Sequence, residues 1–163
     1  MRTLIIGGAG YIGSHVARAF LDAGHEVTVF DNLSSGLRDN LFEEADFVYG
    51  DVTKARDVRK ALTDREIDSV VHLAAFKAVG ESMVDPDKYS HNNITGTLTL
   101  LAAMNECGVR RLVFSSSAAV YGPPEYLPVD EQHRVAPMSY YGFTKLEIER
   151  FLGWYDTLAG IRF

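Results

Sequence analysis

The chain has 163 residues, 47% of them hydrophobic and 23% charged, with a formal net charge of −6. That length supports one domain with a real core, and no run of basic residues offers a footprint for nucleic acid or an anionic membrane. The single cysteine, Cys107, excludes an internal disulfide and fits a reducing compartment, where it reads as a small apolar residue near a helix end.

Met1-Arg2-Thr3 leads directly into an apolar run, Leu4-Ile5-Ile6, with no charged leader ahead of it and no apolar run of membrane-spanning length. The expectation is a cytoplasmic protein without a membrane partner. Glycines follow the run at Gly7, Gly10 and Gly13, the layout of a buried parallel strand, a tight turn and a helix start. In such a turn Gly7 lets the chain bend, Gly10 lets a pyrophosphate approach the backbone, and Gly13 lets the helix pack on the sheet. The helix is read over Gly13 to Ala23, with Ile12, Val16, Phe20 and Leu21 on one face and Gly24 after its end. His25 to Phe30 reads as the second strand. It ends at Asp31, 18 residues beyond Gly13, where a carboxylate can accept from the hydroxyls of an adenosine ribose and would repel a 2′-phosphate. That favours NAD over NADP.

Asp46 to Tyr49 reads as a third strand, Lys54 to Arg65 as a helix and Ser69 to Leu73 as a fourth strand. Ala74-Ala75 leave room for a ligand at that strand's end. Asp85-Pro86 marks a helix start, and an unbroken helix is read from about Lys88 to Glu106, closed by Gly108. Arg110 to Phe114 is the fifth strand, with Ser115-Ser116-Ser117 at its carboxyl end. A proline-containing loop precedes a helix from about Ser139 to Leu158, and Ile161-Arg162-Phe163 reads as a sixth strand that has only begun. Strands alternating with helices argue an α/β, Rossmann-like, doubly wound parallel sheet, truncated at the sixth strand, with its ligand crevice at the carboxyl ends of the strands. The five histidines, His15, His25, His72, His91 and His133, show no metal-ligand spacing and read as structural or surface groups, so no metal is expected.

Tyr141 and Lys145 stand four apart and face the same way on a helix. A phenol titrates at about 10, too high for a base at neutral pH. A neighbouring ammonium and a positive nicotinamide ring both favour its phenolate, which makes the pair a usable general base for a sugar hydroxyl. Ser117 can donate to the reacting hydroxyl or share its proton. The plainer readings, a surface aromatic–cation pair and a polar turn at a strand end, fit the spacing as well.

Taken together, Gly7-x-x-Gly10-x-x-Gly13, Asp31-Asn32, Ser115 to Ser117 and Tyr141-x-x-x-Lys145 resemble the extended short-chain dehydrogenase/reductase family. The stretches Asp31 to Ser34, Lys77 to Ser82, Asn92 to Thr97 and Phe114 to Gly122 are similar to its UDP-glucose 4-epimerase branch, and the resemblance covers essentially the whole chain. It implies that Tyr11 and Ile12 contact the pyrophosphate, Asp31 and Asn32 hold the adenosine ribose, and Asp51 and Val52 flank the adenine. Leu73, Ala74 and Lys77 would line the phosphates and nicotinamide ribose, with Asn92 supporting the site. Ser117, Tyr141 and Lys145 would form the catalytic triad, Lys145 also holding the nicotinamide ribose. The implied reaction interconverts UDP-glucose and UDP-galactose through a 4-keto sugar, with bound NAD, in an enzyme that is a homodimer at full length. Related dehydratases carry Thr-Asp-Glu where this chain has serines, which argues against dehydration. Such epimerases are about twice this length. Residues 1–163 are therefore expected to be the NAD-binding Rossmann domain, with the C-terminal substrate domain absent and low turnover alone. Two alternatives stay open: a non-catalytic NAD-binding module, and a glucuronate or arabinose type of epimerase.

Overall fold

The computed structural model describes residues 1–163. Five parallel strands form one sheet: β1 (Arg2–Ile6), β2 (Glu26–Asp31), β3 (Asp46–Tyr49), β4 (Ser69–His72) and β5 (Leu112–Phe114), in the order β3-β2-β1-β4-β5. The register sets Ile5 of β1 beside Val29 of β2 and Val71 of β4. Leu4, Ile5 and Ile6 are all buried, as a central strand covered on both faces requires. The order reverses between β1 and β4, and the loops leaving β1, β2 and β4 open a crevice there.

The two faces are covered unequally. On one, α2 (Ala55–Asp64), α5 (Gly96–Cys107) and α6 (Tyr140–Ala159) build the larger core, where Leu4, Ile6, Phe30, Val70 and Leu112 meet Leu62, Leu100, Leu101, Met104, Ile148 and Leu152. On the other, α1 (Tyr11–Asp22) and the segment around Leu41 and Phe42 cover Ile5, Val27, Val29 and Val71. Nothing covers the outer end of that face. Val113 of β5 and Phe163 are 60% and 59% exposed, and they border a groove with Met1, Phe20 and Val71. The sixth strand is a beginning only: Arg162 bridges Arg111 in parallel, with the Arg162 N–H donating to the Arg110 carbonyl at 2.9 Å. No helix is long and apolar enough to cross a membrane.

Two expectations from the sequence change. The helix expected from Lys88 to Glu106 is helical throughout but not α-helical throughout. Short helices α3 (Val79–Ser82) and α4 (Pro86–Tyr89) come first, the latter capped by Asp85 accepting from the Lys88 N–H; a π-helical turn over Ser90–Thr95 then feeds α5. Asn93, within this turn, is buried together with Tyr89 and Thr97. The inner face of α1 also differs at one end. Val16, Phe20 and Leu21 pack on the sheet with Ala17, but Ile12 is 58% exposed, because the first turn of α1 stands clear of the sheet over the crevice.

Candidate active site

The glycine turn forms the floor of the crevice. Gly7 has φ +84°, a left-handed conformation for which glycine carries no penalty. A Cβ on Gly13 would lie 2.1 Å from the Gly7 carbonyl oxygen, so only glycine lets α1 start this close to the strand. Gly10 is the N-cap of α1 and supplies no side-chain cap, so the amides of Tyr11, Ile12 and Gly13 keep their hydrogens for another acceptor. All five of these residues line the crevice. Three unpartnered amides at the positive end of a helix form a cradle for an anion such as a pyrophosphate.

Asp31 and Asn32 line the crevice where β2 ends. Asp31 is buried, one carboxylate oxygen accepting from the Ala9 N–H at 3.1 Å and the other from the Leu33 N–H at 2.8 Å. The carboxylate thus ties the glycine turn to the loop after β2, and each oxygen keeps a lone pair for a ribose hydroxyl. Asp51 is not in the wall. It lies behind Asn32, accepting from its Nδ2 at 3.2 Å and from the amide and hydroxyl of Thr53. Burial works against its charge, but the Thr53 and Asn32 donors prevail and hold its pKa below the ordinary carboxylate value. Val52 is in the wall, as are Leu73, Ala74, Lys77 and Asn92.

Lys145 marks the opposite end. It is only 3% exposed, its Nζ donates to the Ser115 carbonyl at 2.7 Å, and it sits 4.5 Å from the centre of the Phe114 ring. Ser115 belongs to the crevice wall, so the amine is anchored at the wall and not on the outer surface. Burial pulls the pKa of Lys145 down to about 8. Tyr141 precedes it by one turn of α6. Ser139 caps that helix by accepting from the Gly142 N–H at 3.1 Å, while the Tyr141 N–H donates to the Ser82 hydroxyl at 3.1 Å. Ser117 follows β5 and caps the short 3-10 helix Ala118–Val120, its hydroxyl accepting from the Ala119 N–H at 3.2 Å. Tyr141, Ser117 and Lys145 all stand outside the lining itself, Lys145 reaching it through the Ser115 carbonyl.

The wall also includes Ala75, where the sequence expects room for a ligand, and Ser34, Ser35, Phe76 and Ser115, to which the sequence alone assigns no contact. Ser34 and Ser35 lie in a loop recognisable by composition, and the other three are chain neighbours of Ala74, Lys77 and Phe114. Asn93 lies in the resembling stretch Asn92 to Thr97 but is given no role there. Its amide nonetheless pairs with both backbone groups of Phe76 (Phe76 N–H to Oδ1 2.9 Å, Nδ2 to Phe76 carbonyl 3.0 Å) and reaches Thr144 of α6 at 3.3 Å. No group of three or more His, Cys, Asp or Glu side chains could hold a metal ion. Cys107 ends α5, exposed.

A doubly wound parallel sheet with a glycine turn under an uncapped helix and an acidic residue closing the second strand defines a protein of the Rossmann class. The match to known sequences is specific within that class. Residues 3–163 fit the family model described as the NAD dependent epimerase/dehydratase family, and the chain belongs to that family. It is 45% identical over 163 residues to the UDP-glucose 4-epimerase of Lactobacillus helveticus, covering 100% of this chain and 49% of that protein. The UDP-glucose 4-epimerase of Brucella ovis, solved in complex with NAD, superposes with a TM-score of 0.96 at 39% identity, over 99% of this chain and 49% of that one. The enzyme of Bifidobacterium longum, solved with NAD+ and UDP, gives a TM-score of 0.93 at 33% identity, over 96% and 49%. The chain thus spans about half the length of the relatives it matches.

Proposed function

We propose that this chain is the cofactor-binding and acid/base half of an NAD-dependent nucleotide-sugar 4-epimerase that interconverts UDP-glucose and UDP-galactose. The observation that carries the reading is Lys145, a buried amine fixed on the crevice wall one helical turn after a tyrosine. A dinucleotide suits the residues present: the three free amides at the start of α1 face the crevice, and a Cβ on Gly10 would meet only the Gly7 oxygen at 3.3 Å and otherwise project where a phosphate would lie.

In this reading Tyr11, Ile12 and Gly13 hold the pyrophosphate through their amides, and Asp31 with Asn32 holds the adenosine ribose. Val52 flanks the adenine, and Asp51 steadies Asn32 from behind. Leu73, Ala74 and Lys77 line the nicotinamide half, with Asn92 beside them. NAD, when bound, supplies the acceptor and donor of hydride at sugar carbon 4. The Lys145 ammonium favours the Tyr141 phenolate and orients the nicotinamide ribose. Tyr141 takes the proton of the 4-hydroxyl and returns it once the 4-keto sugar has turned its other face, while Ser117 donates a hydrogen bond to the reacting oxygen. Residues 1–163 serve as the NAD domain, and a separate substrate domain completes the UDP-hexose site; the full-length enzyme is a cytoplasmic homodimer.

Calorimetric titration of the purified chain with NAD and NADP tests the cofactor assignment. NAD should bind more tightly, and Asp31→Ala should weaken NAD more than NADP; equal losses would overturn the ribose role, and no NAD binding would overturn the function. Rapid UDP-glucose formation from UDP-galactose by the chain alone would contradict the division of labour between domains.

A further inference from the structure

Tyr141, Lys145 and Glu149 occupy successive i, i+4 positions on α6, so their side chains stack along one face. The tripeptide leaving β5 grips two of them. The Ser115 carbonyl accepts from the Lys145 amine at 2.7 Å, and the next residue, Ser116, donates its hydroxyl to the Glu149 carboxylate. These two anchors lie on adjacent residues, so the amine and the carboxylate are tied to one short stretch of chain without forming a direct ion pair.

Burial works against the charge on Lys145, and Glu149 is the group that opposes this. No other carboxylate offsets the burial. From β4, His72 faces the same space, but it brings no negative charge. The Thr97 hydroxyl donates to the Asn93 carbonyl at 2.6 Å, so His72 Nε2 must carry the proton it shares with Thr97 at 3.0 Å, which leaves Nδ1 bare and unpartnered. Phe114 of β5 offers only its ring face, and Tyr141 is the remaining titratable neighbour on α6. Glu149 is therefore the one carboxylate that favours the charged form of the amine against its burial.

We propose that Glu149 is a positioning residue for the Tyr141–Lys145 pair: tethered by Ser116 one turn below the lysine, its carboxylate keeps the buried amine protonated and directed at the crevice wall. The proposal rests on the acid/base reading of that pair. A neutral amine would do nothing to favour the Tyr141 phenolate, so Glu149 acts on the proton-transfer step through Lys145, without touching substrate or cofactor.

The test follows the Lys145 side chain directly in the full 163-residue chain labelled with 13C-lysine. There are five lysines, and Lys145→Arg identifies the signal by its loss. The wild-type titration midpoint should lie near about 8. Glu149→Gln should lower it by about 1 pH unit, the lower end of the effect of an opposite charge at close range. Ser116→Ala should lower it by less, and Glu149→Asp, which keeps the charge, should recover at least half of the drop. An unchanged or raised midpoint in Glu149→Gln overturns the proposal, as does a drop that Glu149→Asp fails to reduce. If Glu149→Gln does not fold by circular dichroism, Ser116→Ala decides, and an unchanged midpoint there is fatal. NAD titration of the same wild-type sample is measured separately, so a failure of the cofactor reading leaves the outcome for Glu149 intact.

Discussion

Gly10 and Gly13 stand three residues apart in one turn, and the space around each makes opposite demands. A Cβ on Gly13 would be 2.1 Å from the Gly7 oxygen and 2.7 Å from the Gly8 Cα, both backbone atoms that cannot yield. Gly13→Ala should therefore cost about 2 kcal/mol or more of stability, read from urea denaturation. Gly10 has φ −75° and ψ 171°, open to any residue, with one near neighbour at 3.3 Å. Gly10→Ala should fold with little loss of stability yet weaken NAD at least tenfold by calorimetry; the reverse pattern would sink the assignment of the turn. The buried bases set the pH response. His72 is held at about 3 by burial and then by the Lys145 charge, against an ordinary 6.5, and Lys145 at about 8 by burial, against 10.5. In both cases the unfolded chain takes up the proton more readily, so stability rises with pH, between about 3 and 6.5 for His72 and between about 8 and 10.5 for Lys145. Acid should weaken the fold as pH falls below 6.5, by up to about 1.4 kcal/mol per pH unit. Denaturation midpoints at several pH values check this, and His72→Leu should flatten the acid limb. At neutral pH Lys145→Met should raise the melting temperature, since the lysine is kept charged at a cost to the fold.

At the scale of elements, the π-helical turn is the joint on which the site depends. Asn93 links three pieces of chain: its amide satisfies both backbone groups of Phe76 in the loop after β4, and meets Thr144, whose hydroxyl donates to the Tyr141 carbonyl at 2.7 Å. Asn93→Ala strands the Phe76 N–H and should cost about 2–3 kcal/mol. Hydrogen exchange should show the Phe76 amide opening, and no acceleration there would contradict the role. Nothing in the sequence announces this joint. A π turn preserves the helical spacing on either side, so the run from about Lys88 to Glu106 reads as one helix. By contrast β1 to β4 are legible because short apolar runs are closed by Gly7, Asp31, Gly50 and Ala74, each a residue that suits a strand end. The same logic fails at Ile12. Periodicity places a residue on the inner side of a helix but cannot say whether sheet or open crevice lies beneath it. The crevice itself is readable at Gly7, Gly10, Gly13 and Asp31, where backbone geometry demands a residue type. It is not readable at Ser35 or Phe76, which reach the wall only through the path of their loops.

Across the whole molecule, the sheet is covered on one face by three helices and on the other by a layer that stops short of β5. Val113, Phe163 and Phe20 border the uncovered groove, and Arg162 pairs at the open edge. An apolar face beside an unpaired strand favours association of copies. Sedimentation velocity should show a weight-average mass rising with concentration, and Val113→Lys combined with Phe163→Ser should abolish the rise; a clean monomer at every concentration would contradict this. The uncapped start of α1 has a separate thermal consequence. A helix end left without its own cap borrows that stabilisation from whatever anion docks against it, so heat resistance is a matter of mass action. At a hundredfold excess over Kd, a dinucleotide adds about 2.7 kcal/mol. On the proposed reading, the melting temperature of this protein climbs with the concentration of free dinucleotide and has no single value unless that concentration is fixed.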